Sequence, residues 1–242
     1  MKKQFIKYSM IVALLFMAGC EVTELSQLEK WGLGKEESEY VSLNRDYDWF
    51  VEPDMDVLGW QRNCVANCGI MAAMWSDANF SRTVADIRNE TYLHSSDNAI
   101  SGMALTDLYH WLSANDIPCR REDRNNLRLS RFKDQLDNGN IILVGINMNT
   151  ITYNKNREQR TGRHYLSLVD NSVYLDSTSY VIIVKGYRVV DEITYFEVYD
   201  PATSERNPDG ANKGKDRYYL ATEVINSATR FGGDFLVISP KS

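Results

Sequence analysis

The sequence predicts an α+β domain, on three observations. Helix-periodic segments fill the chain before residue 138, apolar strand-like runs dominate after residue 140, and no βαβ alternation links the two. The 242 residues suffice for one well-buried core.

The chain opens with Lys2, Lys3 and Lys7, followed by the apolar run Met10–Met17 and the small residues Ala18-Gly19. That run is shorter than the roughly 20 residues a spanning helix needs and has the layout of a cleaved export signal. Met17-Ala18-Gly19-Cys20 resembles the lipobox of bacterial lipoproteins, which implies acylation of Cys20 and removal of residues 1–19. Cleavage takes three lysines and no acid, so 24 bases face 33 acids and the formal charge moves from −6 to −9. Nucleic acid is therefore excluded as a partner, because its binding rests on Lys and Arg neutralising phosphates. Membrane attachment falls to the lipid at Cys20, facing the periplasm or the cell surface.

Residues 20–46 read as a polar, acidic tether with one short helix near Leu25–Trp31, and the folded domain as 47–242. From Cys68 through Trp75 the sequence is apolar on nearly every side, which predicts a buried helix. Thr83–Tyr92 reads as a second helix. Met103–Ala114 is a third, with Leu105, Leu108 and Leu112 in helical spacing before Asn115-Asp116 and Pro118. Ser130 reads as the cap of a fourth, stopped by Asn138-Gly139. Ile141–Ile146 and Tyr180–Tyr187 read as buried strands. Thr194–Tyr199 follows through a tight connection at Asp191-Glu192, and Phe235–Ile238 closes the sheet.

The segment Gly59-Trp60-Gln61-Arg62-Asn63-Cys64-Val65-Ala66-Asn67-Cys68-Gly69 carries the chemistry. A thiol opening a buried helix meets unpaired backbone N–H groups and the positive end of the helix dipole, which favour the thiolate. Cys68 is placed there by this reading, and Gln61, seven residues upstream, offers an amide to a developing oxyanion. The competing reading of Cys68 is a buried core cysteine.

A glutamine, a short loop and Cys-Gly at a helix start resemble the papain-like cysteine peptidases, and most closely their bacteriocin-processing-peptidase-like branch. The strand Tyr180–Tyr187 and the segment Phe196–Tyr199 ending in Asp200-Pro201 continue the resemblance, which spans roughly residues 50–240. It implies a helical half followed by an antiparallel sheet, a peptide or protein substrate, hydrolysis through a Cys68 thioester, and no cofactor. It also implies an orienting role for Asp200 and a histidine six residues before Gly186, where this chain carries Tyr180. A phenol, with an ordinary pKa near 10, cannot replace imidazole as a base at neutral pH.

Of the three histidines, His94 and His110 belong to the helical half. His164 precedes Tyr180 by sixteen residues and is the candidate substitute base; the competing reading is an exposed loop histidine. Asp200 is either the orienter of that base or part of an ordinary turn with Pro201. With Cys20 lipidated, the resemblance favours a Cys64–Cys119 disulfide that leaves Cys68 free, whereas Cys68–Cys119 pairing would silence the site. The histidines and cysteines form no metal-ligand spacing. Two functions follow: a lipid-anchored envelope cysteine peptidase or amidase, and a catalytically inactive papain-fold binding module.

Overall fold

A computed structural model describes residues 25–52, 64–92, 103–156, 158–164, 179–201, 205–207, 209–230 and 232–241. The signal segment, Cys20, Gln61 and His94 lie outside the described residues. Among those described, no helix is long and apolar enough to cross a membrane.

Among the described residues, six α-helices accompany one sheet: α1 (Gln27–Trp31), α2 (Cys64–Ser76), α3 (Val84–Tyr92), α4 (Leu105–Ala114), α5 (Leu129–Asp137) and α6 (Ala221–Arg230). The strands are β1 (Glu37–Ser42), β2 (Cys119–Glu122), β3 (Ile141–Asn147), β4 (Ser179–Val190), β5 (Ile193–Tyr199), β6 (Arg217–Leu220) and β7 (Phe235–Ile238). Every pairing is antiparallel, in the order β2-β7-β3-β4-β5-β6, with β1 added to β4. The α+β class therefore stands, but helices and strands interleave: β1 precedes α2, β2 separates α4 from α5, and α6 separates β6 from β7.

Local chemistry accounts for the main elements. In α2 every residue but Met74 is buried, as its all-round apolar surface requires. Thr83 caps α3 through reciprocal bonds with Asp86 rather than joining the helix. The expected Ser130 cap moves to Arg128, so α5 begins at Leu129. Asp191 and Glu192 both have positive φ, 48° and 65°, the conformation that a two-residue hairpin between right-twisted strands demands. β3 is buried on both faces, as its unbroken apolar run requires.

The expected tether is largely part of the domain. Trp31 stacks on Tyr218 with ring centroids 5.8 Å apart, and β1 pairs with the second half of β4. Trp75 donates its indole N–H to the Leu43 carbonyl at 2.7 Å, while Arg45 and Tyr47 donate to the carbonyls of Trp75 and Met74 at the end of α2. The strand escapes a hydrophobicity reading because Glu37, Ser38 and Glu39 are exposed, and backbone pairing with polar contacts to Arg188 and Lys133, rather than apolar burial, holds them. β4 gives one edge to two partners: residues 179–184 face β3 and residues 186–190 face β1. Gly186 marks the change, since a Cβ there would lie 2.2 Å from the Val41 carbonyl oxygen.

At the outer edge of the sheet, Arg131 of α5 holds the nearly buried Glu122 of β2 with two bonds, at 2.6 and 3.0 Å, and Arg120 adds a third contact. The Arg131 bonds hold the Glu122 carboxyl below its ordinary 4.5, against burial, which pushes it up. A depressed folded-state pKa stabilises above the unfolded value, and that stabilisation disappears as pH falls through the folded one. Wild-type protein is expected to lose urea resistance below about pH 4.5 more steeply than Glu122→Gln; parallel pH profiles would refute it.

Candidate active site

Three secondary-structure ends converge: the start of α2, the start of β4 and the end of β5. The α2 end differs from expectation. The described helix begins at Cys64, so Cys68 sits one turn inside it. Cys68 is fully buried and donates its thiol proton to the Val181 carbonyl at 3.1 Å, which fixes it as a neutral thiol. Burial pushes its pKa well above the ordinary value, and Cys64 and Asp200 add to the rise.

Cys64 is the first described residue of α2. Burial raises its pKa, opposed by the backbone N–H groups of Val181, Val65 and Cys64 itself, while Asp200 raises it further. Backbone N–H groups of β4 and α2 favour the Cys64 thiolate against its burial. The two thiols thus bracket one residue of β4, Cys64 on its N–H and Cys68 on its carbonyl.

Tyr180, the second residue of β4, is 2 % exposed. Burial raises its pKa, and Cys64 and Asp200 raise it further while Arg163 opposes them. Asp200 follows β5 and is fully buried. Its backbone N–H donates to the Gly214 carbonyl at 2.8 Å, and the buried Tyr219 hydroxyl donates to its carboxylate. Gly214 is obligatory, because a Cβ there would stand 1.8 Å from the Asp200 carbonyl oxygen.

The fold has a match among solved structures. The chain is similar to a protein from Bacillus anthracis whose crystal structure is described as that of a candidate C39-like peptidase, with 11 % identity and a TM-score of 0.50. The alignment covers 85 % of this chain and all of the other. The fold is papain-like. At that identity the likeness speaks for the fold alone. No family model and no curated protein matches this chain.

Within the papain-like fold the remaining expected residues take these places. His164 ends a segment wedged between β6 and Thr152–Asn154. The buried Arg217 guanidinium donates to the carbonyls of Gly162 (2.8 Å) and Thr161 (3.2 Å), and Arg163 pairs through its backbone with Thr152 and Asn154. The His164 ring is 3 % exposed, not the exposed loop histidine of the competing reading, and its Nε2 lies 3.7 Å from Glu205 Oε2. Glu205 also takes Lys213 at 2.7 Å.

No disulfide joins Cys64, Cys68 or Cys119, so neither expected pairing is formed. Cys119 begins β2, where its sulfur meets Ser113 Oγ at 3.4 Å and the Tyr109 carbonyl at 3.8 Å, whereas Cys64 faces β4. Among the described residues no group of three His, Cys, Asp or Glu side chains could hold a metal ion.

The sequence signal for Cys64 is present but outweighed. Cys64-Val65-Ala66 already belongs to the apolar run, yet Cys68-Gly69 is the pair that resembles the peptidase pattern. Arg217 leaves no such signal, because a lone arginine beside two tyrosines reads as a surface strand.

Proposed function

We propose that this chain is a papain-fold relative of the cysteine peptidases that binds peptide without hydrolysing it, with Cys64 in the nucleophile position. One observation carries the reading: Tyr180, not an imidazole, is the buried side chain at the start of β4 that feels both Cys64 and Asp200. Burial pushes the phenol above its ordinary pKa near 10, so it holds its proton throughout the neutral range and cannot take one from a thiol. Tyr219 already occupies the Asp200 carboxylate.

The test is the pH dependence of Cys64 alkylation by iodoacetamide, localised by peptide mass spectrometry, alongside an assay on a mixed peptide library. Alkylation that rises only above about pH 8.5, with no peptide cleaved, is expected. A second reading keeps catalysis, with a thiol of α2 as nucleophile, Gln61 as oxyanion donor and His164 as base. It is favoured by the way Arg217 fixes the His164 segment beside β6, next to Tyr219 and Asp200. Cleavage abolished by both Cys64→Ala and His164→Ala would establish it and overturn the first.

The partner in either case is a peptide or protein, and the acidic charge balance argues against nucleic acid. Export and lipid anchoring rest on Met17-Ala18-Gly19-Cys20. Mature protein from membranes of an expressing bacterium is expected to begin at an acylated Cys20 by mass spectrometry, and Cys20→Ala to release it into the soluble fraction. An unmodified Cys20 would refute this.

A further inference from the structure

Away from the thiols, β4, β5 and the loop before β6 meet in a second buried cluster that the proposed function does not use. Lys185 is fully buried on β4, an apolar strand where nothing but charge complementarity would admit a lysine. Its Nζ contacts Glu197 Oε1 of β5, Asp216 Oδ1 at 2.8 Å and Asn44 Oδ1 at 2.7 Å, and lies 4.9 Å from the Tyr199 ring centroid. Glu197 is 2 % exposed, and its other oxygen, Oε2, is buried without a hydrogen-bond partner. Asp216 holds its place at a φ of 53°, a left-handed conformation that costs a non-glycine residue. Its contact with Nζ is short yet lacks the alignment of a hydrogen bond.

We propose that Lys185 and Asp216 condense to an intramolecular amide, with Glu197 carrying the protons. The ammonium gives one proton to the Asp216 carboxylate by way of Glu197, leaving a neutral amine and a carboxylic acid. The Nζ lone pair forms a bond to Asp216 Cγ. Glu197 takes a second proton from Nζ and delivers it to the departing hydroxyl, which leaves as water. Ammonium plus carboxylate become amide plus water, Glu197 ends as it began, and no oxidant or further reagent enters.

Three features favour the step. The reacting groups are held at contact by strands and a strained loop, which replaces a bimolecular encounter. The charges of the fully buried Lys185 and the part-buried Asp216 become one neutral amide, removing their desolvation cost. Glu197 has an open oxygen for the travelling proton, and Asp216, 27 % exposed, gives the water a way out.

The experiment is tryptic mapping of the full-length protein after denaturation and reduction. Expected is no cleavage at Lys185 and a branched peptide joining the Lys185 segment to Asp216-Arg217, lighter than its two parts by one water. Glu197→Gln, which keeps size and shape, is expected to restore cleavage at Lys185. Wild-type protein cleaved at Lys185 with Asp216 unmodified overturns the proposal, whether or not the variant folds. A branch to Asn44 with loss of ammonia, or one that persists in Glu197→Gln, overturns it too.

Discussion

Tyr180→His is expected to turn Cys64 from an inert thiol into a reactive one. The new imidazole would replace the Tyr180 phenol, which Cys64 and Asp200 both influence, and the Asp200 carboxylate could orient it. Burial and Asp200 now push the Cys64 thiol up. An imidazolium beside the sulfur reverses that balance, since imidazole-paired thiols titrate at roughly 3.5–7.5 against about 8.5 for a free one. At pH 6.5 the rate of Cys64 alkylation is expected to rise about 10- to 100-fold over wild type. Cys119, distant on β2, serves as internal control. An unchanged pH profile for Cys64 would show that position 180 does not face the thiol and would remove the basis for reading this site as a peptidase that lost its base.

The other large effect is on stability, at Gly214. The loop before β6 passes so close to Asp200 that a Cβ would fall 1.8 Å from its carbonyl oxygen, and both atoms in conflict are fixed by the backbone. No rotamer relieves such a clash, so the loop or the end of β5 must move. Gly214→Ala is expected to cost at least about 3 kcal/mol, beyond ordinary overpacking, and to lower Tm by roughly 6–12 °C for a domain of this size. The shift loosens Asp200, whose N–H depends on the Gly214 carbonyl. A melting curve within a degree of wild type would mean that the two segments are not held this closely.

The sequence is most legible where side-chain burial repeats with a period. The apolar runs of α2, β3, β4 and β7 declare themselves because each is covered on all sides. β1 and β6 escape such a reading. Backbone pairing holds β1, while Arg217 and the hydroxyls of Tyr218 and Tyr219 give β6 the composition of a surface strand although most of it is buried. At the site, Tyr180 is the second residue of β4, in register with Ile146 of β3, and Asp200 directly follows β5. Cys64 reads as a disulfide partner, because a helix start is a matter of backbone geometry that two cysteines four residues apart do not distinguish. The partnership of His164 with Glu205 joins residues 41 positions apart in the sequence through a loop with no periodic pattern. Such contacts lie beyond any local reading.

The incorporation of β1 into the sheet has a consequence for altitude. For a chain anchored at Cys20, as proposed, only residues 21–25 separate the acylated cysteine from the Ser26 cap of α1. Five residues span at most about 18 Å when fully extended, at roughly 3.3–3.6 Å each. The domain would then ride within a lipid headgroup layer or two of the bilayer, without the long reach of a tethered receptor. Its partners would be molecules that themselves sit at the membrane surface, and lengthening the segment before Ser26 would be the way to let it reach farther.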